Sequence, residues 1–165
     1  RKQRTIAHGD PKAGNIFLKE SSSSSSSYDC GLLDFQWSGF GLPGTDLGHF
    51  ICASVTADAL FDDGQTLIDV YYENFCTFAS EFGCGANVSE SILTKDELRR
   101  QVDVSILDTM RCIFGYQWHR AKASPDMLER NKNSVGRNSY NKCTFNAVWV
   151  MRRCDELLRL NAFHR

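Results

Sequence analysis

The stretch HGDPKAGNIFL, residues 8–18, sets an Asp and an Asn five positions apart in a loop that runs into a short apolar strand. A second apolar run, LLDFQ at residues 32–36, carries a further Asp near its end. If the two runs pair as an antiparallel hairpin, Asn15 at the start of the first strand lies beside Asp34 at the end of the second. Asp10 lies on the loop just ahead. The sequence therefore predicts that two carboxylates and an amide converge at one end of a hairpin.

Converging oxygen ligands of this kind suit Mg²⁺, which keeps several waters and substrate phosphates and needs few protein ligands. Asn15 and Asp34 are enough to hold the metal, and Asp10 stays available to act on a substrate hydroxyl. The spacing H-x-D-x-x-x-x-N, followed by D-F, is the arrangement that kinase catalytic loops and their metal-binding Asp use for phosphoryl transfer. The pattern predicts a phosphotransferase rather than a set of ordinary turn and cap residues.

The same residues resemble a known group of kinases. HGD, with Gly9 where protein kinases have Arg, is similar to the aminoglycoside phosphotransferase and choline kinase group. Gln36, in place of the Gly of D-F-G, and the Asp-Leu pair at 46–47 strengthen the similarity to that group. The variant D-F-Q-W at residues 34–37 resembles its ecdysteroid kinase-like (CHK kinase-like) branch. These motifs cover His8 to about Phe50. The resemblance implies a protein-kinase-like fold and ATP- and Mg²⁺-dependent transfer to a hydroxyl of a small molecule.

The resemblance also implies roles for individual residues. Asp10 corresponds to the catalytic base that accepts the proton of the substrate hydroxyl, and Asn15 and Asp34 correspond to the Mg²⁺ ligands. Lys12 is similar to a Lys that meets the γ-phosphate in some kinases, where it would neutralise developing charge. A solvated loop lysine is an equally good reading of Lys12.

Two further residues support the loop in this interpretation. His8 is expected to orient the loop through hydrogen bonds to its backbone rather than to carry a proton. Asp46 is expected to cap its helix and brace the catalytic loop rather than to touch substrate.

Apolar residues at helical spacing follow the loop, which makes the chain α+β: a short catalytic β-hairpin followed by a mainly helical bundle. Thr45 is the predicted N-cap of a first helix that continues to about residue 61. A second helix over residues 65–82 places large apolar residues on one stripe. A capping box at Thr94 and Glu97 predicts the start of a third helix, and Ser124 before Pro125 predicts another start. The third helix has one apolar face, formed by Leu98, Val102, Ile106, Met110 and Ile113. A last helix is predicted over residues 141–160.

The run of seven serines, Ser21–Ser27, separates the two hairpin strands and cannot bury anything. We expect it to be an insertion at the hairpin tip, because lengthening a loop costs little free energy. A phosphorylated regulatory loop is the less favoured alternative.

Composition excludes several classes of function. The net charge of −1 argues against a nucleic-acid partner, and no apolar run approaches the roughly 20 residues that span a bilayer. The seven cysteines include no C-x-x-C pair and are not clustered with the histidines, which argues against zinc. Buried free thiols in a reducing, cytoplasmic compartment are the expected state.

The resemblance also predicts what the chain lacks. Only seven residues precede His8, and no Gly-rich loop followed by a strand Lys occurs to hold the nucleotide phosphates. Residues 1–165 are therefore expected to be the C-terminal lobe of a larger kinase, with the N-terminal nucleotide lobe missing. The alternative is a non-catalytic kinase-like binding or scaffold module, or an inactive fragment.

Two sets of residues bear on the chemistry of the substrate. Trp37 and the aromatics of residues 114–119 could form a cage for a quaternary ammonium group. Phe114 and Trp118, four positions apart, are more simply explained as core. Scattered acids over residues 58–81 could attract a cation, and a solvated helix face explains them equally well.

Overall fold

The computed structural model describes residues 3–21, 27–84, 92–122, 124–131 and 144–160. Within these ranges the protein is mostly helical with two small sheets, in agreement with the predicted mixture of helix and strand. The strands are β1 (Thr5–Ala7), β2 (Ile16–Glu20), β3 (Tyr28–Leu32) and β4 (Gly39–Gly41). The helices are α1 (Pro43–Ser54), α2 (Gln65–Glu81), α3 (Lys95–Cys112), α4 (His119–Ala121), α5 (Pro125–Arg130) and α6 (Thr144–Arg159). Short 3₁₀ turns cover Ala13–Asn15, Phe35–Trp37 and Ala57–Leu60, and a π-helical segment covers Ile113–Trp118.

The predicted hairpin is formed by β2 and β3, which pair antiparallel with Ile16 opposite Leu32. Its ends differ slightly from the prediction, since Asn15 closes the 3₁₀ turn before β2 and Asp34 lies two residues beyond β3. The Leu33 N–H donates to the Asn15 carbonyl over 2.9 Å, which extends the pairing by one step. The backbones that carry Asn15 and Asp34 are therefore held side by side.

A second ribbon, which the sequence pattern did not predict, joins β1 to β4 with Thr5 opposite Gly41. It pairs the residues that precede the predicted catalytic loop, residues 8–15, with those that follow Asp34. The β2–β3 hairpin joins one end of this loop to the segment after β3, and the β1–β4 ribbon joins their other ends.

Helix α1 approaches α3 unusually closely through two glycines. A Cβ atom on Gly44 would lie 2.5 Å from the Gln101 Cβ, and one on Gly48 would lie 2.5 Å from the Ser105 Cβ. The Gly44 N–H, one of the orphan donors of the first turn, donates to Gln101 Oε1 over 3.2 Å. Both glycines are needed because any side chain there would separate the two helices.

The prediction that Thr45 caps this helix is wrong. The helix begins at Pro43, with Leu42 in the N-cap position, because proline suits the first helical position. The Thr45 carbonyl instead accepts a hydrogen bond of 2.8 Å from the Ser105 hydroxyl. The helix also ends at Ser54, and a separate 3₁₀ turn follows over Ala57–Leu60.

The predicted N-cap residues of the later helices are confirmed, whereas the carboxylate of Glu97, the other half of the predicted capping box, pairs with Arg100. Thr94 Oγ1 accepts from the Glu97 N–H over 3.1 Å, and Ser124 Oγ accepts from the Met127 N–H over 3.2 Å. The predicted last helix is described from Thr144, and residues 141–143 lie outside the described residues.

The core lies between α1, α3 and α6. Its buried apolar residues come mainly from the faces of these helices, which confirms the stripe predicted for α3. They are Leu47, Ile51, Cys52, Val55, Leu60, Ile68, Leu93, Leu98, Val102, Ile106, Ile113, Trp149, Val150 and Cys154.

The large residues of the predicted α2 stripe are less buried than the core. Ile68 is the buried residue of this helix, whereas Val70, Phe78 and Phe82 stay exposed. The three exposed residues, together with Leu47 and Phe50, line an open apolar groove of about 740 Å³.

The cysteine prediction holds only in part. Cys52 and Cys154 are buried thiols, and burial raises the pKa of Cys154 to about 11, so this thiol stays protonated. Cys30, Cys84 and Cys112 are free but exposed, because they lie outside the packed helix faces. Cys143 lies outside the described residues.

Among the helices of the described ranges, none has both the length and the apolar character that crossing a bilayer requires.

The serine run meets the hairpin at its far end, away from Asn15 and Asp34. The Ser21 N–H donates to the Ser27 carbonyl over 2.9 Å, and Ser22–Ser26 lie outside the described residues. This hydrogen bond extends the strand pairing by one step beyond Glu20 and Tyr28.

Replacement of Ser22–Ser26 by Asn-Gly is therefore expected to change the free energy of unfolding by less than about 1 kcal/mol, because loop closure depends weakly on length. Urea denaturation measures the change. Leu98→Ala in the core serves as a control and should cost about 2–5 kcal/mol. A loss of several kcal/mol in the serine variant would mean that these residues pack into the fold.

Candidate active site

The catalytic loop is held through its backbone by a carboxylate of α1. The His8 and Gly9 N–H groups donate to the two oxygens of Asp46 over 2.6 and 3.0 Å. Asp46 lies in the first turn of α1 but makes no cap bond to its own helix, so the capping half of the prediction is wrong. Its side chain is used instead to brace the loop, because both oxygens are taken by loop amides.

The ring of His8 connects this loop to the end of β3. Nε2 lies 2.8 Å from the Leu33 carbonyl, and Nδ1 accepts from the Asp10 N–H over 3.3 Å. These partners require a neutral imidazole with its hydrogen on Nε2. The ring also packs on Phe35 at 4.7 Å between centroids. Both hydrogen bonds of the ring are with backbone groups, which is the geometry of an orienting residue.

Gly9 occupies a position that no other residue could take without a rearrangement. Its φ of +86° lies in the left-handed region, and a Cβ would meet the Trp37 carbonyl oxygen at 2.3 Å. The loop therefore passes directly over the chain that follows Asp34. An Arg in this position would prevent that close approach.

Asp10 is 3 % exposed, and its two oxygens have different neighbours. Oδ2 is in a short ion pair with Lys12 and lies 3.2 Å from Asn15 Nδ2. Oδ1 lies 3.7 Å from Nε2 of His49. Lys12 is thus not a freely solvated loop residue, because the Asp10 carboxylate draws it inward. Its expected contact with the γ-phosphate stays a prediction.

The predicted metal ligands fit a small oxygen-liganded cation. Asn15 donates from Nδ2 to the Asp10 carbonyl over 2.9 Å, which leaves its amide oxygen as the atom for a metal. Asp34 is exposed and does not cap the 3₁₀ turn that follows it. Its φ and ψ of 64° and 61° are left-handed, a strained conformation that is common at functional sites.

Within the described ranges, no group of three or more His, Cys, Asp and Glu side chains is arranged to hold a metal ion. A site at Asn15 and Asp34 would have two protein ligands, and water and substrate phosphates would complete it, as is usual for Mg²⁺.

His49 is a site residue that the sequence pattern did not reveal. It lies three residues after Asp46, on the same side of α1, and so faces the catalytic loop. Burial lowers the pKa of its imidazole, and the charges of Asp10 and Asp46 act in the opposite direction. The spacing of an Asp and a His on one helix face was the available signal.

A cavity of about 770 Å³, called the acceptor cavity below, opens beside the loop. Gly9, Trp37 and His49 line it on the loop side. The rest of the lining comes mainly from α3, between Ser105 and Cys112, and includes Gly115 and Tyr116 of the π-helical segment. Segments of π-helix are rare and often occur at functional sites.

The aromatic residues that the sequence suggested as substrate contacts fall into two groups. Phe114 and Trp118 pack against the core with their rings 4.8 Å apart, which confirms the interpretation of this pair as core. Trp37 and Tyr116 line the acceptor cavity. Tyr116 carries the Arg120 guanidinium over its ring at 5.4 Å, which leaves this face unsuited to a cationic ligand.

The acids of residues 58–81 lie away from the acceptor cavity. Asp62 accepts from the Thr66 N–H over 2.7 Å, and Asp63 pairs with Arg152 over 3.2 Å. These two contacts favour the structural reading of Asp62 and Asp63.

A braced H-x-D loop, an Asn five residues later and an Asp-Phe beyond a paired hairpin define the site of a kinase-like protein. The comparison with known families agrees: the ecdysteroid kinase-like family model matches residues 1–83, and the chain belongs to that family. Membership indicates a kinase-like fold and phosphotransferase chemistry. No curated protein and no solved structure matches the chain.

The close approach at Gly9 can be tested by adding one methyl group. Gly9→Ala is expected to destabilise the fold by about 2–4 kcal/mol, through backbone strain and the clash with the Trp37 carbonyl. Gly39→Ala is the matched control, because a Cβ at Gly39 meets nothing within 4 Å. Urea unfolding compares the two, and equal stability of both variants would show that the loop does not need Gly9.

Proposed function

We propose that this protein is an ATP- and Mg²⁺-dependent phosphotransferase that phosphorylates a hydroxyl of a small molecule. The observation that carries the proposal is the contact between Asp10 and Asn15, at 2.9 and 3.2 Å, beside the strand end that bears Asp34. One braced loop thus carries the proposed base and one proposed metal ligand, and the neighbouring chain carries the second. The proposal treats the described strands and helices as the C-terminal lobe of a kinase-like domain.

In this proposal Asp10 orients the acceptor hydroxyl and accepts its proton. Asn15 and Asp34 hold the Mg²⁺, which would neutralise charge on the phosphates of ATP when bound. Asp46 and His8 keep the loop in place through its backbone, so that little reorganisation is needed during transfer.

Lys12 would change partners during the reaction. It pairs with Asp10 in this structure, and its side chain is 24 % exposed, so it can turn outward. A transferred phosphoryl group is more negative than one carboxylate and would attract the ammonium group away. That movement would free Asp10 Oδ2 and place a positive charge on the group being transferred.

The acceptor is proposed to bind in the acceptor cavity. Its volume suits a small molecule, and its wall reaches Asp10 through His49. Thr45, Ser105 and Thr109 line it together with the aromatic side chains of Trp37 and Tyr116 and the Asp108–Arg111 pair. The lining favours an acceptor that is partly apolar and bears several hydroxyl groups.

A second candidate function is a non-catalytic kinase-like binding module. The observation in its favour is the burial of Asp10 beneath its ion pair with Lys12, because a base that stayed covered could not meet a substrate. Binding of Mg²⁺-ATP with no turnover, in wild type and variants alike, would favour this candidate.

The division of labour between base and metal ligand is testable in the full-length protein. Asp34→Ala should weaken Mg²⁺-ATP binding at least tenfold, because it removes a charged metal ligand. Asp10→Asn should bind Mg²⁺-ATP normally but lower the turnover rate by about 10²–10⁴, the usual worth of a general base. Calorimetry measures the affinity, and ADP release measures the rate.

Asp155→Asn is the control for these variants, since Asp155 pairs with Arg159 on the exposed side of α6. It should change neither quantity. If Asp10→Asn weakened binding of Mg²⁺-ATP as much as Asp34→Ala does, Asp10 would be a metal ligand and the proposed roles would be wrong.

A further inference from the structure

His49 is placed to act on the base of the proposed reaction. Asp46 and His49 project from one side of α1, and Asp46 holds the loop backbone while His49 faces the Asp10 side chain. Nε2 of His49 lies 3.7 Å from Asp10 Oδ1, and the side chain is 17 % exposed. A shift of about 1 Å would bring the two atoms into hydrogen-bond contact.

The two oxygens of Asp10 are not equivalent. Oδ2 is bound by Lys12 and Asn15, and both contacts stabilise a negative charge on that oxygen. Oδ1 faces His49, and His49 in turn lines the acceptor cavity. A hydroxyl that enters from the cavity therefore meets Asp10 on the side of Oδ1.

Resting on the phosphotransferase function proposed above, we propose that His49 receives from Asp10 the proton of the acceptor hydroxyl and releases it into the acceptor cavity. In this step the acceptor oxygen forms a bond to the γ-phosphorus as the bond to the bridging oxygen breaks, and that electron pair leaves with ADP. The acceptor proton passes to Asp10 Oδ1 and then to His49 Nε2. The imidazolium gives it up to water, which restores both residues.

The electrostatic surroundings suit a proton acceptor. Burial lowers the pKa of His49, which keeps the imidazole neutral near pH 7 with a lone pair available. The negative charges of Asp10 and Asp46 raise the pKa, and Lys12 and His8 lower it. The ordinary pKa of an imidazole lies above that of a carboxyl group, which favours passage of a proton from a carboxyl to a neutral imidazole.

An ion pair lies on the α3 side of the acceptor cavity. Asp108 and Arg111 line the cavity from α3 and are joined at 2.8 Å, so their charges largely cancel. The titration of His49 is therefore governed by the groups on the catalytic loop and α1.

The first test is a titration of the histidine ring nitrogens by ¹⁵N NMR. His49 is expected to titrate below pH 6.5. Asp10→Asn removes a charge that raises its pKa, so the midpoint should fall further. Lys12→Ala removes a charge that lowers it, so the midpoint should rise. An unchanged midpoint in Asp10→Asn would overturn the proposal, because the two residues would not be coupled.

The second test follows hydrolysis of Mg²⁺-ATP by the full-length protein, with water as the acceptor. The wild-type rate should fall as the pH drops through the pKa of His49, because the protonated ring cannot accept. His49→Gln should bind Mg²⁺-ATP with unchanged affinity, lose this acidic limb and be about 10- to 100-fold slower at pH 7.5. His119→Gln, an exposed histidine of α4, is the control and should match wild type.

The outcomes separate the two proposals. A wild-type rate and pH profile in His49→Gln, with Asp10→Asn inactive, would overturn the role of His49 and leave the phosphotransferase function standing. Full activity in Asp10→Asn, or no hydrolysis by the wild-type protein, would instead contradict the phosphotransferase function itself.

Discussion

The rest of the site depends on the two hydrogen bonds between the Asp46 carboxylate and the amides of His8 and Gly9. Hydrogen bonds to a charged group contribute about 1.5–3 kcal/mol each, more than most loop contacts. Helix α1 is itself held by the close approach of Gly44 and Gly48 to α3. A continuous set of contacts therefore runs from the packed core to the catalytic loop, and the loop need not be stabilised by its own residues.

This constraint explains why the unusual backbone conformations occur where they do. Gly9 and Asp34 both have positive φ, and each lies on one side of the contact between the loop and the chain after β3. A left-handed residue other than glycine costs on the order of 1–3 kcal/mol. The strain at Asp34 is sustained because His8, which is fixed by Asp46, binds the carbonyl of the preceding residue, Leu33. The exposed Asp34 carboxylate is therefore carried by a backbone that is held in place.

The sequence predicted the parts of the site that follow from local spacing. The placement of Asp10, Asn15 and the hairpin that leads to Asp34 follows from a motif and from two short apolar runs, and these are short-range signals. His49 was missed because its meeting with Asp10 depends on how α1 packs beside the loop. The inward turn of Lys12 was also missed, because it reflects competition between a carboxylate and solvent that spacing does not encode.

The same difference between local patterns and long-range contacts holds for the fold. The caps at Thr94 and Ser124 and the apolar face of α3 are local patterns, and they were predicted correctly. The start of α1 was misplaced because Thr45 looked like a cap, whereas Pro43 and the acceptor on Gln101 make an earlier start favourable. The β1–β4 ribbon joins residues more than 30 positions apart, and its short strands have no strong alternation.

The central claim is that Asp46 holds the catalytic loop, and amide hydrogen exchange of His8 and Gly9 tests it most directly. In Asp46→Ala these two amides should exchange at least about tenfold faster, while the amides of Val102 and Ile106 in α3 keep their protection. Unchanged exchange at His8 and Gly9 would contradict the account, as would an equal acceleration at all four amides.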